Sequence, residues 1–180
     1  MTIATAFSLP SPSASELVQL FRDFRATYLP LPSAQQYLAA LTDARAVAAH
    51  NFPLLVRQAE QGAALTDELL LKLLPYADTP NNRWRGAWIH PVAAIAGDLR
   101  TWYEAAGWTA SEDWPSIATA LLGFVRQATT EPAQLGDACA TWVALPYSTG
   151  FQSGLLTPIL NALRPAAFLI VNNQSRNLLN

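Results

Sequence analysis

The chain has 180 residues, 51% of them hydrophobic and only 13% charged, with a formal net charge of −2. That length suits one domain burying about 70% of its unfolded surface. A charged fraction well below the usual ~25% implies apolar surface that a neighbouring domain or subunit covers. The acidic balance excludes a wholly basic nucleic-acid binder and leaves room only for a local basic patch.

Residues 1–14, MTIATAFSLPSPSA, lack both a basic start and a sustained apolar core, so they read as a flexible leader and not as a signal peptide. Ser13 or Ser15 can cap a helix from Glu16 to Tyr28, with Leu17, Leu20, Phe21, Phe24 and Tyr28 as its buried face. The prolines of Leu29–Pro32 end it. Ser33 caps a second helix that turns Tyr37, Leu38, Leu41, Ala44 and Val47 inward. Asn51-Phe52-Pro53 breaks this pattern and puts Pro53 in the first turn of a third helix ending near Gly62.

Thr66-Asp67-Glu68 signals a further helix start, and Leu69–Leu74 is too apolar for a one-sided surface helix, so it is expected to be covered on most sides. Asp78–Gly86 reads as a long loop, followed by a helix from His90-Pro91 to Ala106 that Gly107 stops. Ser111–Pro115 opens a helix to about Ala128 with Ile117, Leu121, Phe124 and Val125 inward, and Thr130–Pro132 opens another carrying Leu135, Cys139, Trp142 and Val143. A last apolar helix, Leu155–Leu163, is stopped by Arg164-Pro165. Phe168–Val171 follows as a buried strand or extended segment. The expected fold is mainly α, a single multi-helix domain over 15–180 with about eight helices and at most one short extended segment.

Catalytic signals are sparse. Neither His50 nor His90 lies in a triad or a metal-ligand spacing, and neither phosphate-loop pattern occurs. The lone Cys139 excludes an intrachain disulfide and a multi-cysteine zinc site, fits a cytoplasmic protein, and is expected as a buried, inert thiol. The acidic pairs Asp67-Glu68 and Glu112-Asp113 sit where first helical turns favour negative charge. No catalytic residue, metal or cofactor is therefore assigned, and no apolar run approaches the roughly 20 residues that span a bilayer.

Two polar clusters suit nucleic acid. In the first, Arg83, Trp84, Arg85 and Trp88 combine guanidinium donors for phosphate with indole faces for a splayed base. The competing account places Trp84 and Trp88, one helical turn apart, in the core and pairs the arginines with local acids. In the second, Asn172, Asn173 and Arg176 carry amides able to read base edges and a cation for phosphate, although Asn and Ser there also suit turn and cap chemistry.

The string TGFQSGLLTPILNALRPAAFLIVNNQSRNLLN, residues 149–180, is similar to a segment G-x-x-(T/S)-P-I-L-x-x-L-x-P-x-x-F-x-I-x-N-x-x-S-R. That segment precedes the motor in many bacterial proteins resembling McrB, the AAA+ ATPases or GTPases of modification-dependent restriction systems. The likeness is looser over Trp102-Tyr103-Glu104 and Glu112–Pro115, and Gln174 stands where the pattern leads one to expect lysine. The resemblance implies a non-catalytic N-terminal recognition domain cut from a longer chain with a C-terminal AAA+ motor. Its implied partners are DNA, modified or not, that motor, and a nuclease subunit. The alternative is a helical protein-interaction or assembly domain that binds no nucleic acid.

Overall fold

A computed structural model describes residues 13–93 and 95–171. Among them the chain is mainly α, with eight α-helices and no strand. It divides into two units, Met1–Ala39 and Ala40–Asn180.

The first unit holds α1, Ala14–Thr27, and the start of α2, which runs from Pro32 to Glu60. Ser13 caps α1 through a reciprocal pair: its hydroxyl accepts from the Glu16 N–H at 3.3 Å, and the Glu16 carboxylate accepts from the Ser13 N–H at 2.7 Å. The helix start therefore follows its sequence signal. The buried face expected for α1 does not: none of its residues is buried.

The second unit holds the rest of α2 and six further helices: α3 (Thr66–Leu73), α4 (Pro80–Trp84), α5 (Leu99–Ala105), α6 (Trp114–Thr130), α7 (Leu135–Val143) and α8 (Ser153–Leu163). Pro53 does not break α2. Ala44, Ala48 and Leu55 are buried and Phe52 packs against the same core, so one apolar stripe at helical spacing continues across the proline. Burial of that stripe outweighs the backbone hydrogen bond that Pro53 cannot make.

The long apolar helix α6 is the centre of the unit, packing against α3, α7 and α8. Its expected inward residues Ile117, Leu121, Phe124 and Val125 are all buried, joined by Trp114. In α3, Leu69, Leu70 and Leu73 are buried, which fits a helix covered on most sides. Beside α6 an aromatic cluster forms around Tyr103, whose ring lies 5.0–6.0 Å from those of Trp108, Trp114 and Phe151. The Tyr103 hydroxyl donates to the Gly150 carbonyl at 2.5 Å. A side chain at Gly150 has no space, because a Cβ there would lie 2.2 Å from the Tyr103 ring.

Two expectations are corrected here. Cys139 is exposed, since the buried residues of α7 are Ala138 and Trp142, four apart, and position 139 lies off that line. The helix expected from His90 to Ala106 shortens to α5, because backbone groups of Trp88, His90 and Ile95 bond to Tyr76 and Ala77 (Tyr76 N–H to Trp88 O, 2.9 Å; His90 N–H to Tyr76 O, 3.0 Å; Ala77 N–H to Ile95 O, 2.8 Å). Of the two readings open for Phe168–Val171, the strand is not formed. The segment is held on α8 instead, through Asn161 Nδ2 to Phe168 O at 2.5 Å and the Val171 N–H to Thr157 Oγ1 at 2.8 Å. Phe168 is buried, while Leu169 is exposed.

Candidate nucleic-acid interface

The arginine–tryptophan stretch is not a loop. Thr79 caps α4, its hydroxyl accepting from the Asn82 N–H at 3.2 Å, and Pro80 occupies the first helical turn, where the missing N–H costs nothing. Gly86, at φ +68°, terminates the turn in a conformation that suits glycine.

Buried polar groups fasten this short helix to the core. Asn82 is fully buried and its side-chain amide donates to the Ala77 carbonyl at 2.9 Å. Lys72 Nζ donates to the Gly86 carbonyl at 2.8 Å. Trp88 is buried, its backbone N–H bonded to Leu71 O at 3.0 Å and its indole N–H to Ala44 O at 2.9 Å. The backbone of the helix tip is thus fastened on both sides.

It presents Trp84, which is 86% exposed. Of the two tryptophans, therefore, one enters the core and one stands in water. The reading of Trp88 as a stacking face is corrected: its ring packs edge-on to His90, centroids 5.2 Å apart, and offers no face to a ligand.

The flanking arginines differ as well. Arg83 makes a two-pronged ion pair with Asp78, with Nη2 to Oδ2 at 2.6 Å and Nε on the other oxygen. That guanidinium holds the Asp78 carboxyl below its ordinary range, and the carboxylate raises Arg83 in turn. Arg85 is half-buried and forms no ion pair with any described residue. It lines a cavity of about 220 Å³ together with Tyr76, Asp67, Asp98 and Arg100. Arg100 is paired to Asp67 and lies 5.7 Å from the centroid of the Trp114 ring. Burial is the main cause that pushes the Tyr76 hydroxyl up to about 12, with Arg85 and Arg100 pulling against it and Asp98 adding to it.

Asp78, Arg100 and Tyr76 were not singled out from the sequence. Asp78, five residues before Arg83, was visible as a local acid; Arg100 and Tyr76 reach the site only through the tertiary fold. Asn172, Asn173 and Arg176 lie outside the described residues. No group of three or more His, Cys, Asp or Glu among the described residues could hold a metal ion, and no described helix is long and apolar enough to cross a membrane.

A second, larger recess of about 750 Å³ opens beside α7 and α8, lined chiefly by Phe124, Trp142, Phe151, Leu156, Leu160 and Phe168. Its chemistry is apolar. It offers no charge for a phosphate and stands apart from the arginine site in character.

No family model, no curated protein and no solved structure matches this chain.

Proposed function

We propose that Trp84, with Arg83 and Arg85, is the nucleic-acid contact of a non-catalytic recognition module. The parent would be a McrB-like AAA+ restriction protein that passes the bound DNA to its motor and a partner nuclease. The observation that carries the reading is the exposure of Trp84 at the end of a helix anchored on both sides. An indole of this size left in water forgoes the hydrophobic gain that burial would give, roughly 25 cal/mol per Å². An exposed indole on an anchored helix offers a stacking face, and every base has a π-face to lay on it. The guanidinium groups of Arg83 and Arg85, its neighbours in sequence, would supply donors for phosphate oxygens. The terminal motif and its likeness to the McrB-type segment support the choice of DNA and of a motor-bearing parent.

Asp78 sets the terms of binding. A phosphate approaching Arg83 must displace a carboxylate that stays ionised at neutral pH, so Arg85 is the freer of the two cations. Ligands with an unpaired or flipped base are favoured, because a duplex hides the base faces on which Trp84 would act.

The test is a fluorescence-anisotropy titration with labelled single-stranded and duplex oligonucleotides at low salt, on the wild-type chain and on Trp84→Ala. Binding of single strands that weakens in Trp84→Ala supports the proposal. Absence of affinity for every DNA form, or equal affinity in the variant, overturns it.

A further inference from the structure

We infer that α1 is a self-association element, and that it pairs in parallel with α1 of a second copy of this chain. The face in question is Leu17, Leu20, Phe21, Phe24 and Tyr28, which recur at helical spacing yet are 40–63% exposed. Phe24 and Tyr28 already stack on each other, centroids 4.8 Å apart, which widens one continuous apolar surface. A helix of 14 residues with no buried residue lies at the length where isolated helices are marginal in water. Its capping box stabilises one end only. Something must cover the stripe for the helix to persist.

The charges say what covers it. At 100° per residue, Glu16 and Asp23 fall along one edge of the stripe, with Gln19 between them donating to the Asp23 carboxylate at 2.9 Å. Arg25 falls on the opposite edge, while Arg22 lies on the outer face of the helix. A two-fold axis parallel to the helices sets the acidic edge of one copy, at the level of Asp23, against Arg25 of the other along both seams. An antiparallel pair sets acid on acid and base on base. The parallel pairing is therefore self-complementary in charge as well as in apolar surface, as an isologous interface requires. A lipid surface is disfavoured by the same pattern, since interfacial helices carry a polar face rich in Lys and Arg without matching acids.

This inference is independent of the nucleic-acid reading. It is tested on the full chain carrying Cys139→Ser, which removes the exposed thiol. Sedimentation velocity over a wide concentration range should show a monomer–dimer equilibrium that salt weakens. Phe21→Glu, in the centre of the stripe, should abolish the dimer while the melting of the second unit is unchanged. Leu17→Cys and Phe24→Cys should each, alone, form a disulfide-linked dimer under mild oxidation, because a parallel pair sets each position against its own copy. A chain that stays monomeric throughout, or a dimer indifferent to Phe21→Glu, overturns the proposal. Cross-linking that requires both cysteines in one chain overturns the parallel arrangement.

Discussion

Trp84 and Trp88 stand one helical turn apart in sequence and on opposite sides of the protein–water boundary. Trp88 donates its indole N–H to the Ala44 carbonyl from a fully enclosed position, whereas Trp84 keeps 86% of its surface in solvent. On the proposed reading, the two residues therefore separate binding from stability. Trp88→Phe should lower stability by about 0.5–1.5 kcal/mol for the hydrogen bond alone, because the Ala44 carbonyl loses its second donor and keeps the helical one. Trp88→Ala should cost about 3–5 kcal/mol through the cavity it leaves. Trp84→Ala should unfold like the wild type in urea, yet lose about 1–3 kcal/mol of single-strand affinity, roughly 5- to 150-fold. Urea titration and anisotropy on the three variants check the division.

Asp78 competes with any phosphate for Arg83, and that competition has a measurable sign. Asp78→Asn should raise the affinity for single-stranded DNA and leave the melting temperature unchanged, since the ion pair is solvent-exposed. Arg85→Ala should lower the affinity and reduce the slope of log K against log salt by about 0.7, the value for one phosphate on a single strand. A slope that does not change in Arg85→Ala would remove this residue from the contact.

Much of the helical framework is legible in the chain itself, because the signals are local. Ser13 three residues before Glu16, the inward positions of α6 and the stop at Arg164-Pro165 each express short-range chemistry. The failures have a common cause in long-range burial. Pro53 reads as a break, yet Ala44, Ala48, Phe52 and Leu55 carry one apolar stripe past it. His90 to Ala106 reads as one helix, yet the His90 N–H and the Ile95 carbonyl are claimed by Tyr76 and Ala77. Thr79-Pro80 is itself a local helix-start signal for α4, offset by the two asparagines that follow it. The separate fates of Trp84 and Trp88 were not legible, because spacing alone places both on one face, and α4 ends between them.

Gly150 is held to glycine by a neighbour and not by its backbone angles. A methyl group there would meet Tyr103 Cε1 at 2.2 Å, Tyr103 Cζ at 2.7 Å and Trp108 Cε3 at 2.9 Å. None of these ring atoms can swing away, since Tyr103 is buried against Trp114 and Phe151 and tied to the Gly150 carbonyl. Gly150→Ala should therefore destabilise the second unit by about 1–3 kcal/mol, the usual cost of overpacking. Tyr103→Phe, which keeps the ring and removes the hydroxyl, should cost about 0.5–1.5 kcal/mol. Denaturant melts of both variants decide whether the steric or the hydrogen-bonding contribution dominates at this corner.

His90 gives the chain a pH dependence with a definite sign. The imidazole is buried, Nδ1 accepts the Val92 N–H at 3.1 Å, and the ring proton is thereby placed on Nε2, which has no partner among the described residues. Burial, with Arg45 nearby adding repulsion, lowers its titration from 6.5 to about 4. The unfolded chain consequently takes up a proton near pH 6.5 that the folded chain refuses until about pH 4. Stability is full above the upper value and should fall steadily as the pH drops through that window, before most carboxylates are protonated. In His90→Asn the amide oxygen can replace Nδ1 as acceptor for the Val92 N–H, and no group titrates. Its melting temperature should be lower than that of the wild type at neutral pH, because the ring's packing against Trp88 is lost, but flatter between pH 6.5 and 4. Equal slopes for the two proteins across that range would mean that the histidine is solvated and charged in the folded state.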